Sequence, residues 1–344
     1  MLLAVTLMLT ACRPISDVTM RPEGQSPIES DPNEPDTPPP EDDTNPTEGN
    51  EPDNPGNGGS TGGFEALFGP PEMNSPAVIN APFGALYNLS DDVFIYGKRV
   101  DERVYPSGTA KLLTALAVYD ALDAGFIFTV GDEIDMVSTG SGVAGLKKEQ
   151  RLGMEAILTA LLIPVGNDAA YTVSINTARA KSGDHSASNR ELNDYFLRLM
   201  NDYAKQLGCQ NSNFSNPDGF HANDNYSTVR DLTIIAAATT GNPMISAICG
   251  KLEHEVAFDS GEVASWTNSN SFLQLANWDV RGLRTGYTDE SAFSAQILAY
   301  VDGKMYIAVV SGSPTAVARE NDILRLLQLA RDGYDADIIN VFDS

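Results

Sequence analysis

The chain has 344 residues, 42% of them hydrophobic, enough for one large domain or two ordinary ones with a substantial core. Against 22 basic residues stand 47 acidic ones, a formal net charge of -25. That balance excludes a nucleic-acid partner, which needs clustered Lys and Arg for its phosphates, and fits a secreted soluble surface.

The first segment, "MLLAVTLMLTAC", is a short apolar run closed by Thr10, Ala11 and Cys12. It is too short to span a bilayer, and a small residue before a cysteine resembles a bacterial lipobox, where the signal is cut and the thiol receives a lipid. Residues 1–12 are therefore expected to be a lipoprotein signal peptide, with Cys12 lipidated. No Lys or Arg precedes the run, so a start upstream of Met1 is expected. The plainer alternative is a secretory signal with a chance cysteine.

Residues 13–63 carry 12 acidic residues, two arginines, 11 of the chain's 20 prolines and no aromatic residue. Such a segment cannot bury enough apolar surface to offset the entropy of ordering it, so it reads as a disordered linker. As a flexible coil, ~50 residues span roughly 40 Å. This looks like a tether, and with Cys12 lipidated the protein is expected outside the cytoplasm, lipid-anchored to the outer face of a bacterial cytoplasmic membrane.

Residues 64–344 read as the folded domain. "GALYNLSD" and "DVFIYGKRV" alternate around a polar turn and predict a hairpin. In "YPSGTAKLLTALAVYDAL", Pro106 favours a helix start, and Leu112, Leu113, Leu116 and Tyr119 recur at helical spacing. A Gly-, Ser- and Lys-rich stretch follows, then three helices: "MEAILTALLI" stopped by Pro164, "VGNDAAYTVSINTARA", and "RELNDYFLRLMNDYAKQLG" ended by Gly208. "NFSNPDGFHANDNYS" is turn chemistry and "TVRDLTIIAAATTG" a further helix. "WDVRGLRTGYT", "AFSAQILAYV" and "KMYIAVVSGS" predict strands, the last two joined at Asp302-Gly303, and a terminal amphipathic helix closes the chain. One antiparallel sheet flanked by helices is expected, with both ends of the fold in the same sheet. Cys209 and Cys249 either pair or stay buried thiols. His185, His221 and His254 lack metal-ligand spacing, so neither metal nor cofactor is expected.

Three stretches in this order carry a resemblance. "YPSGTAKLLTA" is similar to the "PASTTKLLTA"-type motif around the SxxK nucleophile of the serine D-alanyl-D-alanine carboxypeptidases, the low-molecular-mass penicillin-binding proteins. "LLIPVGNDAA" resembles that family's "LLxxSGNDAA", and "VRGLRTGYTDESAF" its "VxGxKTGYTxxAG"; "SNPDGF" and "YSTVRDL" match flanking stretches. The resemblance covers residues 64–334. It implies an α/β fold, an αβα sandwich around a five-stranded antiparallel sheet with a helical lobe. It also implies a cleft between the KTG strand and the SxxK helix, for peptidoglycan stem peptides ending in D-Ala-D-Ala.

Residue by residue, the resemblance implies a damaged catalyst. In an active member the SxxK serine attacks the carbonyl while the lysine takes its proton. Three residues advance a helix by about 300°, which keeps the two groups neighbours. Lys111 is present, but the serine position is Gly108, which has no side chain to acylate. Ser107 is a weak substitute, expected instead to cap a backbone N–H, and Thr109 lies on the wrong face. The serine of the second motif is Val165, while Asn167 remains to bind a substrate amide. The lysine of the third is Arg284, followed by Thr285 and Gly286; arginine retains the charge and can grip a carboxylate with two parallel bonds. Structural alternatives stand beside these roles: Lys111 hydrogen-bonded to Asn167, Asp168 as a helix-start residue, Arg284 in an ion pair.

Losing the nucleophile alone typically forfeits about 10⁶ in rate. The expectation is a catalytically impaired, membrane-tethered homologue that binds stem peptides, with β-lactams as non-covalent ligands. One alternative is an active carboxypeptidase using Ser107. Another is a non-catalytic scaffold that recruits cell-wall enzymes.

Overall fold

The computed structural model describes residues 78–258 and 261–333. Cys12 and the linker 13–63 lie outside them, as do residues 64–77 and 334–344. Strand β1 (Phe83–Asn88) and β2 (Val93–Lys98) form the expected hairpin. After the short β3 (Arg103–Val104) comes helix α1 (Lys111–Ala121). β4 (Ile127–Thr129) and β5 (Arg151–Gly153) pair ahead of α2 (Met154–Leu162), α3 (Asn167–Ser182) and α4 (Asn189–Gln206). A two-residue β6 (Ser227–Thr228) leads into α5 (Val229–Gly241). Then follow α6 (Pro243–Cys249), the hairpin β7 (Glu253–Ala257) and β8 (Val263–Thr267), strands β9 (Asp279–Thr288), β10 (Ala292–Val301) and β11 (Lys304–Ser313), and α7 (Ala316–Asp332).

The main sheet has five antiparallel strands in the order β2-β1-β11-β10-β9, so the first hairpin meets the last strand through β1 and β11. The expected fold class holds. Alternate residues face opposite layers. Leu86, Ile297, Ala308 and Val310 pack toward Ile323, Leu326 and Leu327 of α7, whereas Ala85, Leu298, Ile307 and Val309 join the core of the helical lobe. Each buried Leu or Ile contributes roughly 1.5–3 kcal/mol. Asp302 and Gly303 both have positive φ, 46° and 87°, the two-residue turn that suits the twist of β10 and β11.

Helix boundaries follow local chemistry. Ser188 and Glu191 form a reciprocal capping box at the start of α4. The α1 helix departs from the amphipathic reading: Leu112, Leu113, Ala115, Leu116, Ala117 and Val118 are all buried, because α2, α3, α4 and α5 surround it. The short α6 and the β7–β8 hairpin extend the predicted list. Cys209 and Cys249 are both buried and unpaired, which decides between the two alternatives.

Candidate functional site

The chain reaches the site through Pro106. Instead of entering an α-helix there, Ser107–Ala110 form one 3-10 turn, and α1 begins at Lys111. A 3-10 turn has three residues per revolution, so positions 108 and 111 lie on the same face. Ser107 does not cap a backbone N–H, contrary to expectation. Its φ of 48° turns the side chain toward the sheet, where its hydroxyl shares a 2.8 Å hydrogen bond with the Ser294 hydroxyl on β10. That approach requires Gly286, since a Cβ there would stand 2.2 Å from Ser107 Oγ. Gly108 is different: its Cβ would stand 3.3 Å from Thr285 O, a tight contact but not the overlap that a Cβ at Gly286 would make. Thr109 Oγ1 turns away and donates to Pro106 O.

Lys111 is 1% exposed, and its Nζ donates to the carbonyl of Asp218, not to Asn167. Burial, followed by the nearby Arg284 charge, pulls the amine down to about 7, against the opposing pull of Asp218 and Asp168. Asn167, at the start of α3, leaves its side-chain oxygen buried without a hydrogen-bond partner among the described residues. The Asp168 carboxylate accepts from the N–H groups of Ala144, Gly145, Leu146 and its own helix's Ala169 at 2.7–2.9 Å. It is thus a helix-start residue that also fastens the loop before β5.

Arg284 reaches inward from the middle of β9. Its Nε donates to Gly108 O at 2.9 Å, Nη2 to Pro164 O at 3.1 Å, and Nη1 to Leu162 O. Burial lowers the guanidinium to about 10, still protonated at neutral pH. All three nitrogens are engaged by backbone carbonyls, so the ion-pair alternative and a free two-pronged carboxylate grip both give way to a clamp. It joins β9 to the 3-10 turn and to the end of α2.

Gly108, Lys111, Val165, Asn167, Arg284, Thr285 and Gly286 line one cavity of about 280 Å³. Sequence reasoning had singled out all seven. It missed Arg319, from the first turn of α7, and Asp218, both of which also line it. Arg319 is 9% exposed, its Nε has no hydrogen-bond partner among the described residues, and its guanidinium stacks over Phe272 and Phe293. Such a buried, unsatisfied cation suits an anionic ligand group. No motif announces it, because it is one arginine in an otherwise ordinary amphipathic helix. Val165, Phe220 and Tyr287 are exposed around the mouth.

A model of the D-alanyl-D-alanine carboxypeptidase family matches residues 75–315. The chain belongs to the D-alanyl-D-alanine carboxypeptidase family. It is 27% identical over 245 residues to D-alanyl-D-alanine carboxypeptidase DacF of Bacillus subtilis, covering 70% of this chain and 59% of that protein. It is 28% identical over 256 residues to DacA of Haemophilus influenzae, covering 74% and 62%. The chain therefore spans about three fifths of the length of these curated carboxypeptidase relatives. Among solved structures, the Streptomyces K15 DD-transpeptidase superposes with a TM-score of 0.66 at 25% identity, over 73% of this chain and 96% of that one. Penicillin binding protein 6B of Escherichia coli, at 24% identity and a TM-score of 0.64 over 75% and 79%, shares the fold. The family resemblance read from the three motifs accordingly stands.

Proposed function

We propose that this family member binds peptidoglycan stem peptides ending in D-Ala-D-Ala and is impaired in cleaving them. The observation that carries the reading is Gly108: the family's nucleophile position faces the cavity one turn from Lys111 and bears no side chain. Without a hydroxyl there is no acyl-enzyme at that position. Ser107 does not replace it, since its hydroxyl pairs with Ser294 behind Gly286. Val165 removes a second hydroxyl, and the Arg284 guanidinium neither gives up a proton readily nor leaves its three carbonyls without loss.

Binding chemistry persists. The Asn167 side-chain oxygen accepts an amide N–H of the peptide, and Thr285 lies on the strand beside it. The terminal carboxylate goes to Arg319, the cation whose donor is unspent. β-Lactams, which carry a carboxylate, enter the same cavity without acylating it. On this reading lipid at Cys12 and the acidic linker hold the domain off the outer face of the cytoplasmic membrane.

Two measurements test it. A fluorescent penicillin leaves the wild-type protein unlabelled after denaturation; a covalent adduct would overturn the impairment. Calorimetry with a D-Ala-D-Ala pentapeptide gives heat that Arg319→Leu weakens by about 10- to 100-fold, the worth of a charge-assisted hydrogen bond. No heat from the wild type removes stem-peptide binding and leaves the scaffold reading.

A further inference from the structure

We propose that Lys111 is itself a reactive centre, whose amine captures small carbonyl acids (aldehydes or α-keto acids bearing a carboxylate) as an imine. Lysines become nucleophilic toward carbonyls when they are desolvated or placed beside another cation, because the free amine then persists at neutral pH. Lys111 meets both conditions. It is 1% exposed yet lines the cavity, and the Arg284 guanidinium stands near it. Its one hydrogen bond among the described residues goes to a carbonyl, Asp218 O, which an uncharged amine satisfies with one N–H while keeping its lone pair. The charged groups that act on it are Arg284 from β9, Asp218 from the loop after α4 and Asp168 from α3; burial and Arg284 outweigh the two carboxylates.

Gly108, one turn before Lys111, lines the same cavity and puts no side chain into it. Arg319 supplies the anchor for a carboxylate at the same cavity. The step balances without a further reagent. The nitrogen lone pair adds to the carbonyl carbon, and the C=O π pair becomes a hydroxyl by taking up a proton. The amine loses its two protons, and the hydroxyl leaves as water to form C=N. The Asn167 side-chain oxygen, buried and unpartnered, is an acceptor for the hydroxyl of the addition intermediate.

This inference does not depend on stem-peptide binding, and its test uses no peptide. The full chain is incubated with glyoxylate and cyanoborohydride, which converts an imine to a stable carboxymethyl amine, and is read by intact mass and peptide mapping. Lys111 is expected to be modified at least about tenfold faster than any surface lysine at neutral pH, since a lowered amine pKa multiplies its free-base fraction. Its rate should level off above pH 7–8 while the surface lysines keep accelerating. Arg319→Leu slows trapping of glyoxylate but not of acetaldehyde, and Lys111→Gln abolishes the fast site. Modification of Lys111 no faster than the surface lysines, or a rate that climbs with theirs to high pH, overturns the proposal. Both readouts are on the wild type and do not rely on a variant folding.

Discussion

Arg284 Nε donates to the carbonyl oxygen of Gly108 at 2.9 Å across a sequence separation of 176 residues. With its bonds to Leu162 and Pro164, this makes one buried side chain the joint between β9, the 3-10 turn and the end of α2. Hydrogen bonds to a charged group contribute more than neutral ones, and each stranded buried carbonyl costs further. Arg284→Ala should therefore destabilise the domain by about 4 kcal/mol or more, read as a shifted urea midpoint. A loss under about 1 kcal/mol would show that the clamp is not structural.

Gly108→Ser should fold. The position has no positive φ and its Cβ meets only ordinary to tight contacts, so the thermal midpoint should move by no more than about 5 °C. The single variant should take up a penicillin slowly, as seen by intact mass. Adding Val165→Ser and Arg284→Lys should speed acylation further, because nucleophile and proton carriers act as a unit. Failure of the triple variant to acylate while remaining folded would mean that more than these three positions separate the chain from a catalyst.

The Lys111 amine gives the fold a pH signature. Its folded-state value, about 7, lies below the unfolded value near 10.4, so between those limits the unfolded chain holds more protons. Its contribution to stability therefore rises as pH goes from about 7 to about 10 and is flat below. Cys249, pushed up to about 12 by burial, acts in the opposite sense within that window. The test is consequently the difference between wild type and Lys111→Met in urea unfolding from pH 7 to 10. The wild type should gain stability relative to the variant; parallel curves would contradict the buried free amine.

Asp168→Asn exchanges a carboxylate that accepts four backbone N–H groups for an amide with a single acceptor oxygen. The amides of residues 144–146 should lose most of their hydrogen-exchange protection, at a cost of about 2–4 kcal/mol if the loop's order is coupled to the whole domain. Trp266 Nε1, which donates to Ala144 O, should report the same change as altered fluorescence.

By itself, the sequence determined the order of the longer helices, the five sheet strands and seven of the residues that line the cavity, but not α6 or the β7–β8 hairpin. Those features rest on local signals: apolar periods of two and 3.6, Pro164, the Asp302-Gly303 turn, and three motifs in order. It also located the change at Gly108, because a missing side chain is visible in one letter. Only the tertiary structure decided what the neighbouring groups do. The direction of Ser107 depends on one positive φ and on Gly286 lying across from it. The partners of Arg284 and Lys111 are backbone carbonyls, which every residue possesses and no motif can advertise. Arg319 enters the site because the sheet brings the start of α7 beside β10, 35 positions after Arg284 in the chain. A side chain's chemistry is written in its residue type, but its role is set by which atoms remain unpaired once distant segments have packed.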